Sequence, residues 1–538
     1  MQTHLGRLPC TRAQNAKYPP LLHTPMIVSK KAGLLSLLPD EILQMILEVL
    51  HREDCPMTPI MGVCKTLKIL IINSPRLWRR ILVSVDLMPP SLQTGSTMSC
   101  GGENLLRNCV ERVRSAPIEA TLVIGQITSD SPAASVRAER YKIVLQKSSQ
   151  ITFLCLIINP GTPISEVVES FQHIFTSGFE ALESLMIASA VPLSGLIKAF
   201  SGLLDLINTT STKLRSLYLE NVSKEFVMEV RQREFWKALS RVTLKGEYQP
   251  LHAMVFDQCN KLDFLSFTGE LHANREDAPF PVGATATQLQ NNALSQPLHT
   301  MQDRPLSGDT SNEGRHDVQL PNLQWLRVGA ITMHGLSQLV IPRVRFLVIQ
   351  TALRDYVKDT PAPHSVIFPE VEVLHISSIH SHIACIVAPK LQTLCLQVQV
   401  LKKADANGIL DRVFDGHPTM LTPKNLSLSS LAHDKYIISV LKKQSQLEIV
   451  TLIMQDLPKK ALFEALKKPT VLPRLSSFTL ELQSNADKGL EKRQRFITER
   501  MEEVKAAPAR QRLNWLSTKW NGVDQIFVQC EVCGSVKP

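Results

Sequence analysis

Leu182-Glu183-Ser184-Leu185-Met186-Ile187 places apolar residues at its first, fourth and sixth positions. The same spacing stands in Ile151-Thr152-Phe153-Leu154-Cys155-Leu156 and in Leu214-Arg215-Ser216-Leu217-Tyr218-Leu219. Alternation at the end of each unit predicts a strand with one buried face. Between the units lie helical patterns. One is Ile164, Val168, Phe171 and Phe175; another is Leu193, Leu196, Ile197, Phe200, Leu203 and Leu204. Aligning the preceding strand, 118–124, on Glu119 gives starts at 119, 151, 182 and 214, steps of 32, 31 and 32 residues. Strand and helix alternating at a near-constant period imply stacked units, each burying its face against the next. The expected fold class is therefore α/β, a solenoid of parallel strands alternating with helices.

Working outward, further units start at Leu239, Leu262, Leu323, Val344, Val371, Leu391, Leu447 and Leu475. Five carry proline two residues ahead, at Pro321, Pro342, Pro369, Pro389 and Pro473. Proline is tolerated where a strand begins, because no donor is lost from the middle of the ladder. The array resembles divergent leucine-rich repeats, with the asparagine expected after the strand present only sporadically, as at Asn221. Residues 270–318 are rich in Asn, Gln, Pro, Gly and Thr without apolar period, and are expected to be a disordered insertion. Leu490, Ile497, Met501 and Val504 mark a closing helix with mixed charges on its other faces, which favours a capping role over a nucleic-acid stripe. The solenoid is expected over 104–505, with a tail over 506–538.

Ahead of the array, residues 34–87 read as three short helices. Leu38-Pro39-Asp40-Glu41 opens the first, with proline at its start and acids in the first turn. Ile42, Leu43, Ile46, Leu47 and Leu50 supply its apolar positions. Thr58-Pro59 is expected to open a second, with Ile60, Val63, Cys64, Leu67, Leu70 and Ile71 as its stripe. Ser74-Pro75 opens a short third, carrying Leu77, Trp78 and Ile81. Leu38-Pro39-x-Glu41-Ile42-Leu43-x-x-Ile46-Leu47, then Val63-Cys64-Lys65, then Ser74-Pro75-x-Leu77-Trp78 resembles an F-box of the kind numerous in fungi. It departs from the family at Leu67, where tryptophan is frequent. The resemblance implies that Leu38, Pro39, Glu41, Ile42, Ile46, Leu47, Val63, Cys64 and Trp78 form or support a surface for a Skp-type adaptor, and through it a cullin–RING ligase. Residues 1–33 are expected to be a disordered basic tail and 88–103 a linker.

The 538 residues are 44% hydrophobic and 20% charged, an ordinary globular composition. The formal net charge of +10 is scattered along the chain, so nucleic acid is not the expected partner. Eleven cysteines at irregular spacing fit reduced thiols in the cytoplasm or nucleus. No apolar run approaches the ~18–20 residues of a membrane span. No phosphate-cradling loop, dinucleotide fingerprint or nucleophile elbow is present, so no catalytic residue and no cofactor is expected. Cys530-x-x-Cys533 has half a zinc spacing without a second pair, and His375, His380 and His382 read as surface histidines, so no metal is expected.

In each strand the residues between the apolar positions point outward, and parallel strands ~4.8 Å apart turn them into ladders. Tyr218, Thr243, Ser266, Arg327, Val348, His375, Cys395 and Thr479 form one ladder, with Trp325 and Phe346 beside it. Tyr218, Trp325, Arg327 and His375 are the candidate target-binding residues, since Trp, Tyr and Arg dominate interface energies. The expected function is the substrate-recognition subunit of a Skp–cullin–F-box ubiquitin ligase. The alternative is a non-catalytic repeat scaffold without a ubiquitin role.

Overall fold

A computed structural model describes residues 38–521, apart from short gaps and the longer stretches 53–59, 84–97, 126–133, 190–195, 273–317, 354–365, 378–385, 399–421 (save Phe414) and 484–489. The expected tail 1–33, most of the linker and most of the insertion lie outside the described residues, as do Cys530, Cys533, His380 and His382.

One parallel sheet runs the length of the molecule. Its strands are β1 (Arg80–Val83), β2 (Met98–Ser99), β3 (Ile118–Ile124), β4 (Ile151–Ile158), β5 (Ser184–Ser189), β6 (Ser216–Glu220), β7 (Arg241–Lys245), β8 (Leu251–His252) and β9 (Phe264–His272). It continues through β11 (Trp325–Thr332), β13 (Phe346–Leu353), β15 (Val373–Ser377), β17 (Thr393–Val398), β18 (Asn425–Ser430), β19 (Ile449–Met454), β20 (Ser477–Gln483) and β21 (Trp515–Asn521). Leu154, Leu185, Leu217, Val242, Leu265, Leu326, Leu347, Leu374, Leu394, Leu426, Val450 and Phe478 stand side by side across it. All are buried. The architecture is thus α/β and repetitive.

Helices cover the buried face at both ends. In Ile197–Thr210, Phe200, Leu203, Leu204 and Ile207 point into the core; Ile497, Met501 and Val504 do so in Leu490–Ala506. The middle departs from strict strand–helix alternation. There β10 (Val318–Gln319) pairs with β12 (Leu339–Val340), and β14 (Val366–Ile367) with β16 (Ile386–Val387). These two-residue strands pair in the parallel sense and alternate with the long strands.

The prolines act one step earlier than expected. Leu323, Val344, Val371, Leu391 and Leu475 each donate a backbone N–H three residues back, to Leu320, Ile341, Phe368, Ala388 and Leu472. Each proline is the second residue of that turn, where its fixed φ is already correct. The strand starts only after the turn closes.

Three further units were hidden. Pro423 fills the leading apolar position ahead of Leu426 and Leu428 and is buried there. Leu513 leads into β21, so the sheet continues past residue 505. Trp78 leads into Ile81 and Val83 of β1, which pairs with both β2 and β3. The alignment of β3 also shifts by two residues. Ile118 faces Ile151, Ala120 faces Leu154 and Leu122 faces Leu156, with a bulge after the first pair. A two-residue slip keeps the same side chains inward, so hydrophobic pattern could not detect it.

Candidate functional site

The N-terminal module is built on α1 (Asp40–Arg52) and α2 (Lys65–Asn73). Pro39 precedes α1, and its carbonyl accepts from the N–H groups of Ile42 and Leu43 at 3.1 Å. The expected second helix is interrupted. Ile60 and Met61 are helical, Gly62 and Val63 turn, and Cys64 restarts the chain as N-cap of α2. The Cys64 Sγ accepts from the Leu67 N–H at 3.5 Å. The expected cap Thr58 lies outside the described residues. Pro75–Trp78 is a single 3₁₀ turn rather than an α-helix.

The apolar positions of α1 divide between two faces. Leu43 and Leu47 are buried, and Leu50 packs against the core. Ile42, Met45, Ile46 and Val49 fall at i, i+3, i+4 and i+7 and are 41%, 63%, 43% and 55% exposed. Leu38, one turn ahead, is 38% exposed, and Val63 in the turn and Ile69 on α2 are exposed as well. This is a continuous apolar stripe with no partner among the described residues. Most other exposed large apolar residues are scattered singly, which is ordinary for a protein surface.

Opposite that stripe the module is fused to the sheet. Trp78 is buried, its Nε1–H donates to the Ile71 carbonyl at 2.7 Å, and the Arg112 guanidinium lies 4.5 Å from its ring centroid. Arg79 and Arg80 pair with Glu119 of β3 at 3.2 and 3.0 Å. Leu43, Leu47, Trp78 and Ile81 belong to the same core as the sheet strands. Of the nine candidate adaptor residues, Leu38, Pro39, Glu41, Ile42, Ile46 and Val63 are exposed, Cys64 is half-buried, and Leu47 and Trp78 stand beneath.

The second candidate surface is the sheet's outward face. The expected ladder is in register. Tyr218 neighbours Thr243, then Ser266, Arg327, Val348, His375 and Cys395. Tyr218, Trp325, Arg327 and His375 are each half-buried. Arg327 and His375 are separated by one strand; Tyr218 sits three strands from Arg327, roughly 14 Å at the usual spacing. Trp325 stacks on Phe264, which the sequence pattern had not singled out, with centroids 4.1 Å apart and planes 7° from parallel. Phe264, Trp325 and Phe346 make an aromatic row. Tyr218 has the Lys245 ammonium 5.2 Å from its ring centroid. Burial raises the Tyr218 hydroxyl above its ordinary value, with the Lys245 ammonium opposing and Glu220 reinforcing. Burial lowers the Arg327 guanidinium below its ordinary value. His375 Nε2 lies 3.0 Å from Ser377 Oγ.

The buried thiols Cys155 and Cys259 are pushed up to about 12, chiefly by burial. They are packing residues, not nucleophiles. Asn221 adopts a left-handed backbone at φ 53°, and its Nδ2 donates to the Ser189 carbonyl at the end of the adjacent strand. Among the described residues no helix is long and apolar enough to cross a membrane.

No protein-family model matches the chain, and no curated protein matches it. Among solved structures, a complex of Rad7 and Elc1 in yeast is similar at a TM-score of 0.32 and 10% identity, over 84% of this chain and 90% of that one. A likeness of that size carries no functional argument.

Proposed function

We propose that this chain is the substrate-recognition subunit of a Skp–cullin–F-box ubiquitin ligase, built from an F-box followed by divergent leucine-rich repeats. The observation that carries this reading is the bare stripe Leu38, Ile42, Met45, Ile46 and Val49 on a module whose other side is locked into the repeat sheet. Covering a large apolar side chain contributes about 1.5–3 kcal/mol, so five of them suffice to drive a stable association. The F-box resemblance supplies the occupant, a Skp-type adaptor. The rigid join between module and sheet would then hold a target at a fixed distance from the ubiquitin-charged enzyme. The chain itself performs no bond chemistry; it raises the local concentration of the target's lysines. Tyr218, Trp325, Arg327 and His375 contribute to the face that holds the target.

Co-purification of the full chain with a Skp-type adaptor tests the reading. Replacing Ile42 and Ile46 with Asp should abolish binding while leaving the fold intact, since both side chains face outward. An intact chain that binds no Skp-type adaptor leaves the repeat scaffold as the function.

A further inference from the structure

The outward face of the sheet gathers positive charge around one hollow. Lys213, Arg215 and Arg241 border a hollow of ≈ 640 Å³ that Tyr218 and Phe264 also line. Ser216, Arg241 and Phe264 stand side by side on β6, β7 and β9, and Phe264 stacks on Trp325 of β11. The cationic hollow therefore runs directly into the aromatic row.

These cations are not consumed internally. The Arg215 guanidinium donates only to the carbonyls of Thr212 and Leu214, at 3.2 and 2.9 Å. Among the described residues, neither it nor Lys213 nor Arg241 has a carboxylate partner. Two cations at equivalent positions elsewhere are paired. Arg345 makes two 2.9 Å hydrogen bonds to Glu372, and Lys390 pairs with Glu370 at 2.7 Å. Glu183 is the one carboxylate lining the hollow, against three cations. Nearby on β11, the Nε of the half-buried Arg327 also lacks a partner among the described residues. An arriving anion would compensate its desolvation.

We propose that this hollow and the adjoining aromatic row bind an acidic peptide segment, its carboxylates on Lys213, Arg215 and Arg241 and an apolar side chain against Phe264 and Trp325. The proposal rests on the target-receptor reading only in assigning the peptide to a target. Two observations favour peptide over single-stranded nucleic acid. Phe264 and Trp325 spend their facing surfaces on each other, whereas base stacking needs free faces. Glu183 lines the hollow beside the cations and Glu220 acts on Tyr218 at its edge, whereas a phosphate-tracking groove carries charge of one sign.

The test pans a random-peptide phage library on the full chain and measures the winning peptide by fluorescence anisotropy. Winners should be rich in Asp and Glu and carry an apolar or aromatic residue. Arg215→Glu with Arg241→Glu should weaken the winner at least about tenfold, and binding to wild type should fall as salt rises. Both guanidinium groups are exposed, so melting should not change; Arg215→Gln with Arg241→Gln is the milder pair should the reversal impair folding. Neutral or basic winners, undiminished binding by the double variant, or oligothymidylate bound as tightly as the peptide would each overturn the proposal. Adaptor co-purification on the same samples keeps the two readings apart. Peptide binding without adaptor binding removes the ligase; adaptor binding without acidic-peptide binding removes this site.

Discussion

Trp78 joins the helical module to the sheet, and its replacement measures how tightly. The side chain is 3% exposed, donates to the Ile71 carbonyl at 2.7 Å, and lies under the Arg112 guanidinium. Trp78→Phe retains most of the apolar volume and removes the indole hydrogen bond, while the Ile71 carbonyl keeps the Ser74 N–H at 3.3 Å, so the cost is about 0.5–1.5 kcal/mol. Trp78→Ala also empties the space under α1 and should cost about 3–5 kcal/mol. Because Leu43, Leu47, Trp78 and Ile81 share one core with the strands, the loss should reach beyond the module. Hydrogen exchange read by mass spectrometry should show faster exchange in α1, β1, β3 and β4 together. Urea unfolding followed by circular dichroism should shift its midpoint in the same order, Phe before Ala. If Trp78→Ala frees α1 while β3 and β4 exchange at wild-type rates, the module is an independent body and the shared core is refuted.

Arg510 is the second internal anchor. Its guanidinium donates to the carbonyls of Leu466, Leu472 and Lys468 at 2.5, 2.7 and 3.1 Å and to that of Val471, and burial lowers its pKa below the ordinary value. Arg510→Ala should cost about 3 kcal/mol or more in thermal or urea unfolding, with Arg510→Lys recovering only part because it lacks the planar fork; a change within the scatter of surface substitutions would refute that. Replacing 273–317 with a short Gly/Ser linker should leave the circular dichroism spectrum and melting temperature nearly unchanged, because the flanking strands β9 and β11 pair directly. A collapsed transition would show that the segment supports the sheet.

Much of this architecture was legible because the unit repeats a strict inward pattern. Leu154, Leu185 and Leu217 are buried neighbours, as their spacing required. The missed units were those in which another residue does the work of leucine. Pro423 and Trp78 fill leading positions, and Thr518 stands where the last apolar residue would be. Pattern also could not resolve α1, which is apolar around most of its circumference. Only the fold shows that Leu43 and Leu47 are spent on the core while Ile42 and Ile46 are left outside. The break at Gly62-Val63-Cys64 was masked by a stripe that continues across it, and the sulfur cap that restarts the helix is not a common sequence signal. On the outward face, register predicted the Tyr218–Arg327–His375 ladder correctly. Arg241 and Phe264 were missed because a single strand does not reveal which of its neighbours complete a charge or a stack.

The most direct measurement is the affinity of the full chain for a purified Skp-type adaptor, beside Ile42→Asp/Ile46→Asp and Trp325→Ala. The wild type and Trp325→Ala should bind alike, and the double variant should lose binding at an unchanged melting temperature. An adaptor that ignores the wild type, or that binds the double variant equally well, would contradict the assignment of the bare α1 stripe.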